Sequence, residues 1–211
     1  IGANQGLLIT QKGYSDAAIK RAHYGPDKIE LDVLNFEDLQ NHQGLLAIPY
    51  SGNNSILLPA PFGWIIDNKR RPMLLACLYQ RGLDLKKAQE NLEWMYLNFW
   101  HKDEKASSIV ELVEMQNKGM EARYTNLCIN ERRSPKRTDN RNTYIRVVTS
   151  DQLPWQEITG YIDCDEFIVF FVLCTKKELE SRNLRKLAYI LKYAKPARIA
   201  FENTMVQSSD R

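Results

Sequence analysis

The chain has 211 residues, 44% of them hydrophobic and 26% charged, with a formal net charge of +3. That length suits one large domain or two small ones, and the composition is that of a globular protein, which excludes disorder as the default. The charge is too small to indicate a nucleic-acid partner by its total, and the longest apolar run, Phe167 to Cys174, is far short of the about 20 residues a membrane helix needs.

No basic-apolar-small pattern opens the sequence as a signal peptide would, so a cytoplasmic protein without a membrane partner is expected. Cys77, Cys128, Cys164 and Cys174 lie far apart with no Cys-x-x-Cys pair. They read as buried reduced thiols rather than a zinc site or a disulfide framework.

The first readable unit runs from Gly6 to Leu39. The apolar run Leu7, Leu8, Ile9 predicts a strand ending in Thr10-Gln11-Lys12-Gly13. Ser15 then stands as N-cap to a helix from Asp16 to Ala22, stopped by Gly25-Pro26. Ile29, Leu31 and Val33 alternate as in a half-buried strand, and Phe36 to Leu39 opens another short helix. The result is a β-α-β-α unit.

This order of apolar strand ending in Thr, Gly-aromatic-Ser turn, helix with small residues and strand leading into Glu-Asp-Leu resembles the closing half of Mrr-type restriction endonuclease domains. The resemblance covers residues 6–39. It implies a DNA-directed nucleic-acid-binding and processing protein, a hydrolase of the defence class. The family's cutting residues, an Asp on one strand and Glu-x-Lys or Gln-x-Lys on the next, hold Mg²⁺ that activates water against a phosphodiester. They lie upstream of this unit in the family, and because Ile1 is not an initiator Met they are expected in chain ahead of it. The same resemblance places Lys12, Lys20 and Arg21 on the DNA-facing edge as phosphate contacts. Read without it, the unit is a packing motif common to many folds.

Beyond it, Gly44 to Pro49 is a short apolar run, and Ser51-Gly52-Asn53-Asn54 is a hairpin turn or an anion-binding nest before Ile56 to Leu58. Residues 1–58 are therefore assigned to the first region. Pro59 to Trp64 then reads as an extended connector. A helical region is expected over 59–127: a helix opened by Arg71-Pro72 and ended by Gly82, a second from Asp84 to Trp100, and a third from Ser107 to Ala122. The aromatic stretch Glu93 to Trp100 is either a base-stacking box or the seam of a helical hairpin, and His101 closes that helix.

Residues 128–143 read as a flexible basic loop. Arg132, Arg133, Lys136, Arg137 and Arg141, with Arg146 beyond, form either a phosphate-gripping surface or a solvated linker. The region 144–211 returns to strands, at Tyr144 to Thr149 and Gly160 to Leu173 with a turn at Asp163 to Glu166. The doubly apolar Phe167 to Leu173 belongs at the centre of a sheet. A helix over about 177–194 should pack on it, with Phe170 against Leu187, before a strand from Arg198 to Phe201 that makes a parallel crossover pair. The fold class is α/β: a β-α-β-α unit, a helical middle and a C-terminal mixed sheet with a packed helix.

Asp163 and Asp165 share a face and are the acidic candidates for catalysis, yet no carboxylate-x-Lys pair follows them on a strand; a solvated turn is the competing reading. Gly-x-Ser-x-Gly and the phosphate-cradling Gly-x-x-x-x-Gly-Lys-Ser/Thr loop are absent, and His23, His42 and His101 are scattered. No metal site is assigned. The leading reading is the nuclease-related DNA-binding protein. The alternative is a non-catalytic module whose middle and C-terminal regions bind a protein partner or a second copy.

Overall fold

A computed structural model describes residues 5–24, 29–35 and 45–199. The opening strand β1 (Gln5–Thr10) and β2 (Glu30–Asn35) pair in parallel, joined through helix α1 (Asp16–Tyr24). Ser15 Oγ accepts from Ala18 N, as the N-cap reading requires. The expected Gly25-Pro26 stop and the helix from Phe36 to Leu39 lie outside the described residues.

Three short strands follow, β3 (Leu46–Ala47), β4 (Tyr50–Ser51) and β5 (Asn54–Pro59). Gly52 at φ 58° takes the first central position of the two-residue β4–β5 turn, a backbone that favours glycine. This segment joins the main body rather than the opening unit, since Ala47, Ile56 and Leu58 are buried in the main core.

The body is built on a seven-stranded sheet. Its strands are β6 (Trp64–Asp67), β7 (Ala76–Gln80), β8 (Glu93–His101), β9 (Cys128–Arg132), β10 (Thr143–Thr149), β11 (Gln156–Cys164) and β12 (Phe167–Thr175), all paired antiparallel in the order β6-β7-β8-β12-β11-β10-β9. The doubly apolar β12 sits at the centre. Helices α2 (Leu85–Glu90) and α3 (Ile109–Glu121) cover one face, against Trp94 and Tyr96 and against Trp100, Tyr161 and Ile168 respectively. On the other face lies α4 (Glu180–Tyr193), which follows a 3₁₀ turn at Lys177–Leu179 and packs beside β5 and its partner β13 (Lys195–Arg198).

The α/β class holds, but the helical middle is corrected. Ala76–Gln80 is a strand buried at every position, and only Leu85–Glu90 of the expected second helix is helical. Pro72-Met73 makes a tight turn with Met73 at φ 62°, closed by mutual hydrogen bonds of Arg71 and Leu74. Leu92 at φ 54° breaks α2, and from Glu93 the side chains alternate: Met95, Leu97 and Phe99 face α4 while Trp94, Tyr96 and Trp100 face α2 and α3. A stretch this apolar fits both periods, and its aromatic content favours the pleated surface. The third helix appears as read, with a Ser108–Glu111 capping box.

Two C-terminal expectations change. Phe170 faces α3, whereas Leu187 packs on the opposite face with Phe171. The strand after α4 pairs antiparallel with β5 in another sheet, so the parallel crossover expected at this end does not form among the described residues. Helix α4 sits close because β11 carries Gly160, where a Cβ would come within 2.9 Å of both Leu187 and Leu191 Cδ1.

Candidate functional site

The sequence-predicted phosphate contacts do not form one surface. Lys12, Lys20 and Arg21 are exposed on the opening unit. In the basic segment, Arg137 is turned inward, its side chain 2% exposed. It donates to Leu191 O and, at 2.7 Å, to Ala194 O, and forks onto Asp139 at 2.8 and 2.7 Å. The guanidinium satisfies the last carbonyls of α4, which have no helical partner. Arg137 beside it holds the Asp139 carboxyl at about 2.

Arg132 pairs with Glu180 of α4 at 3.1 Å, Arg141 with Asp165 at 2.8 Å, and buried Arg146 with Glu157 at 2.6 Å. Arg133 and Lys136 are exposed. The segment is thus corrected from a flexible loop to an ion-paired brace of which β9 is part.

The acidic candidates are also spoken for. Asp163 accepts from Lys102 Nζ at 2.7 Å and from the backbone of Asp165 at 3.2 Å. Asp165 occupies the tip of the β11–β12 hairpin at φ 63°, and the Arg141 guanidinium beside it holds its carboxyl below the usual range. No group of three or more His, Cys, Asp or Glu comes together among the described residues. Both aspartates serve the turn.

One constellation invisible in the sequence is Ser51, Asn54 and His101. His101 Nε2 lies 3.0 Å from Ser51 Oγ, and Nδ1 lies 3.3 Å from Asn54 Nδ2. An amide nitrogen can only donate, so Nδ1 is the acceptor and Nε2 carries the proton toward Ser51. In that tautomer the imidazole cannot take the serine proton. The trio pins the β4–β5 turn to the end of β8.

The opening unit meets the body through charge. Glu30 pairs with Lys186 of α4, and Asp32 accepts from Arg81 at 3.0 Å; alternate residues of β2 put both carboxylates on one face. Nearby, Arg182 pairs with Glu93. Burial pushes the Lys186 ammonium down to about 7. Leu7, Leu8 and Ile9 stay 47, 47 and 54% exposed.

The remaining feature is the sheet's free edge. Among the described residues β9 pairs with β10 alone, and four of its five residues are exposed. Cys128, Asn130 and Arg132 are every second residue, so they share the face that α4 covers elsewhere. A groove of about 480 Å³ opens there, with Val147 and Trp155 as apolar wall, Lys177 at one side and Gln156 within. Gln156 is 9% exposed, and its Oε1 has no hydrogen-bond partner among the described residues. Sequence reading missed this site because β9, the 150–156 loop and the start of α4 meet only in three dimensions. The legible signal was Pro154-Trp155, an aromatic in an otherwise polar turn.

No family model and no curated protein matches the chain. A similar solved structure is a cyanobacterial PsbP (CyanoP) from Synechocystis sp. PCC 6803, 12% identical, covering 74% of this chain and 94% of that one at a TM-score of 0.44. No family is assigned. The reading of the chain as a DNA-binding, metal-dependent defence nuclease is corrected here. In this chain the loop offered for DNA is folded into the body, while the two acidic candidates are committed to cations and to their turn. Among the described residues no helix is long and apolar enough to cross a membrane.

Proposed function

We propose that this chain is a non-catalytic protein-interaction module that works in the cytoplasm. The observation that carries it is the open edge strand β9, one side of which presents unpaired backbone groups beside a half-apolar groove. Natural sheets blunt or cover such edges, and one left accessible is a template for a partner. The four free thiols, Cys128 exposed among them, suit a reducing compartment. The Mrr-type resemblance of residues 6–39 enters only as a packing motif, an accessory β-α-β layer against α4.

The test is site-specific photo-crosslinking in cells, with a photoreactive amino acid in place of Asn130 and, as a control, of Glu121 on α3. A single protein trapped from position 130 alone, which then binds the purified chain in titration, is the expected result. Adducts equally abundant from both positions, or none, would remove the reading.

A further inference from the structure

Resting on the interaction-module reading, we infer that the occupant of this edge is an extended peptide segment of another protein, added as an eighth strand along β9 with an apolar side chain lodged against Trp155. The edge supplies a row of main-chain donors and acceptors on one side of β9, which an extended backbone matches without any particular sequence. Specificity comes from the groove. Side chains of a strand alternate, so every second residue of an added strand faces the same way as Cys128, Asn130 and Arg132, over Val147 and Trp155.

A second, independent observation points to a ligand rather than to a bare edge. The Gln156 carboxamide is nine-tenths buried and lines the groove, yet its Oε1 lacks a donor among the described residues. Buried carbonyl oxygens are ordinarily satisfied, and a peptide N–H or a side-chain donor supplies what is missing. Charge narrows the occupant further. Of the four charged side chains lining the groove, Arg132 and Glu180 pair with each other, which leaves Lys177 and Asp151 to face the ligand. The complement is a segment with an apolar residue flanked by one acidic and one basic residue, rather than a polyanion.

The probe is a phage-displayed library of random seven-residue peptides panned against the purified full chain. Enriched peptides are expected to share that pattern, and on binding to shift the amide resonances of 128–132 and the side-chain amide of Gln156. Glu131→Pro, which deletes an N–H that the alternation of the β9–β10 ladder turns outward, should weaken binding at least tenfold. Gln156→Leu keeps the volume without the carboxamide and should weaken it about fivefold; it tests the site even if the proline variant fails to fold.

Peptides whose shifts fall elsewhere, or whose affinity is unmoved by Gln156→Leu, overturn the inference. So does a dimer in light scattering that Gln156→Leu or Glu131→Pro disperses, since the edge would then be taken by a second copy. A partner trapped from position 130 that ignores both variants leaves the module standing and sinks only the peptide. Failure of the cross-link with intact peptide binding sinks the module reading instead.

Discussion

The body and the opening unit are held by different forces. Beneath α4, Leu187, Ile190 and Leu191 are fully buried against Ile158, Phe171 and Leu173, an interlocked apolar layer. The opening unit leaves its most apolar strand half-exposed and docks through Glu30–Lys186 and Asp32–Arg81. Apolar burial is favourable in proportion to area and is not screened by salt as charges are, whereas a buried ion pair must first offset the desolvation of both charges. Hence the two regions should respond to different perturbations: the body to lost volume, the unit to lost charge.

The largest effect is expected in the body. Phe171→Ala removes a fully buried ring at the centre of the sheet and should cost about 3–5 kcal/mol in urea unfolding. Amide exchange should then accelerate across β11, β12 and β8 together. A loss below about 1 kcal/mol would mean that the layer under α4 is not the common core.

The seam should respond next. Glu30→Gln leaves the Lys186 ammonium buried without its carboxylate, a change that typically costs about 3–5 kcal/mol when a buried pair is broken, here confined to docking of the opening unit. The pH dependence has a definite sign. Folding lowers Lys186 from 10.5 to about 7, so between those values the undocked chain binds more protons and docking strengthens as pH rises. Below about 7 both states are protonated and the slope vanishes. Because Glu30 favours the charged form, the slope is at most about 1.4 kcal/mol per pH unit. Fluorotryptophan at Trp64, whose ring lies 5.8 Å from Lys186 Nζ, reports docking directly by ¹⁹F NMR. A flat profile between pH 7 and 10, or one unchanged by Lys186→Met, would show that Lys186 is not the group that titrates on docking.

How much of this was legible in the sequence follows the same division. The β11–β12 hairpin was readable from the β-branched and aromatic run of β12 beside the acidic turn at Asp163 to Glu166, and α3 and α4 because their apolar residues repeat at one helical period, with Ser108 and Glu111 as a local signal at the start of α3. The stretch 93–101 was not, because its six apolar residues among nine fit helical as well as strand spacing and the break at Leu92 is a left-handed backbone that no glycine announces. Arg137 was misread for a related reason. Composition shows a cation beside Pro135 and Asp139 but not the two α4 carbonyls, 54 and 57 residues away, that bury it. The groove at β9 was least legible, since each wall comes from a different element.

Arg137 is the point where the two kinds of bonding meet, an ion-paired side chain inside the apolar body. Arg137→Ala should cost about 1–3 kcal/mol, because Leu191 O and Ala194 O lose their donors within the buried end of α4. Arg137→Lys restores charge but not the planar fork that serves two carbonyls and Asp139 at once, so it should recover only part of the loss. Full rescue by lysine would show that charge alone matters there.

The smallest effect belongs to the opening strand. Leu8 and Ile9 are 47 and 54% exposed, so Leu8→Ser or Ile9→Ser removes little area that folding takes from water. Each should change the unfolding free energy of the unit in urea by no more than about 0.5 kcal/mol, the usual range for surface substitutions. Neither should alter the pH response set by Lys186. The same substitutions therefore discriminate between two sources of docking energy in one strand pair. A cost near that of Phe171→Ala would show that β1 is covered by apolar surface, and the contrast between an apolar body and an ionic seam would fail at its weaker side.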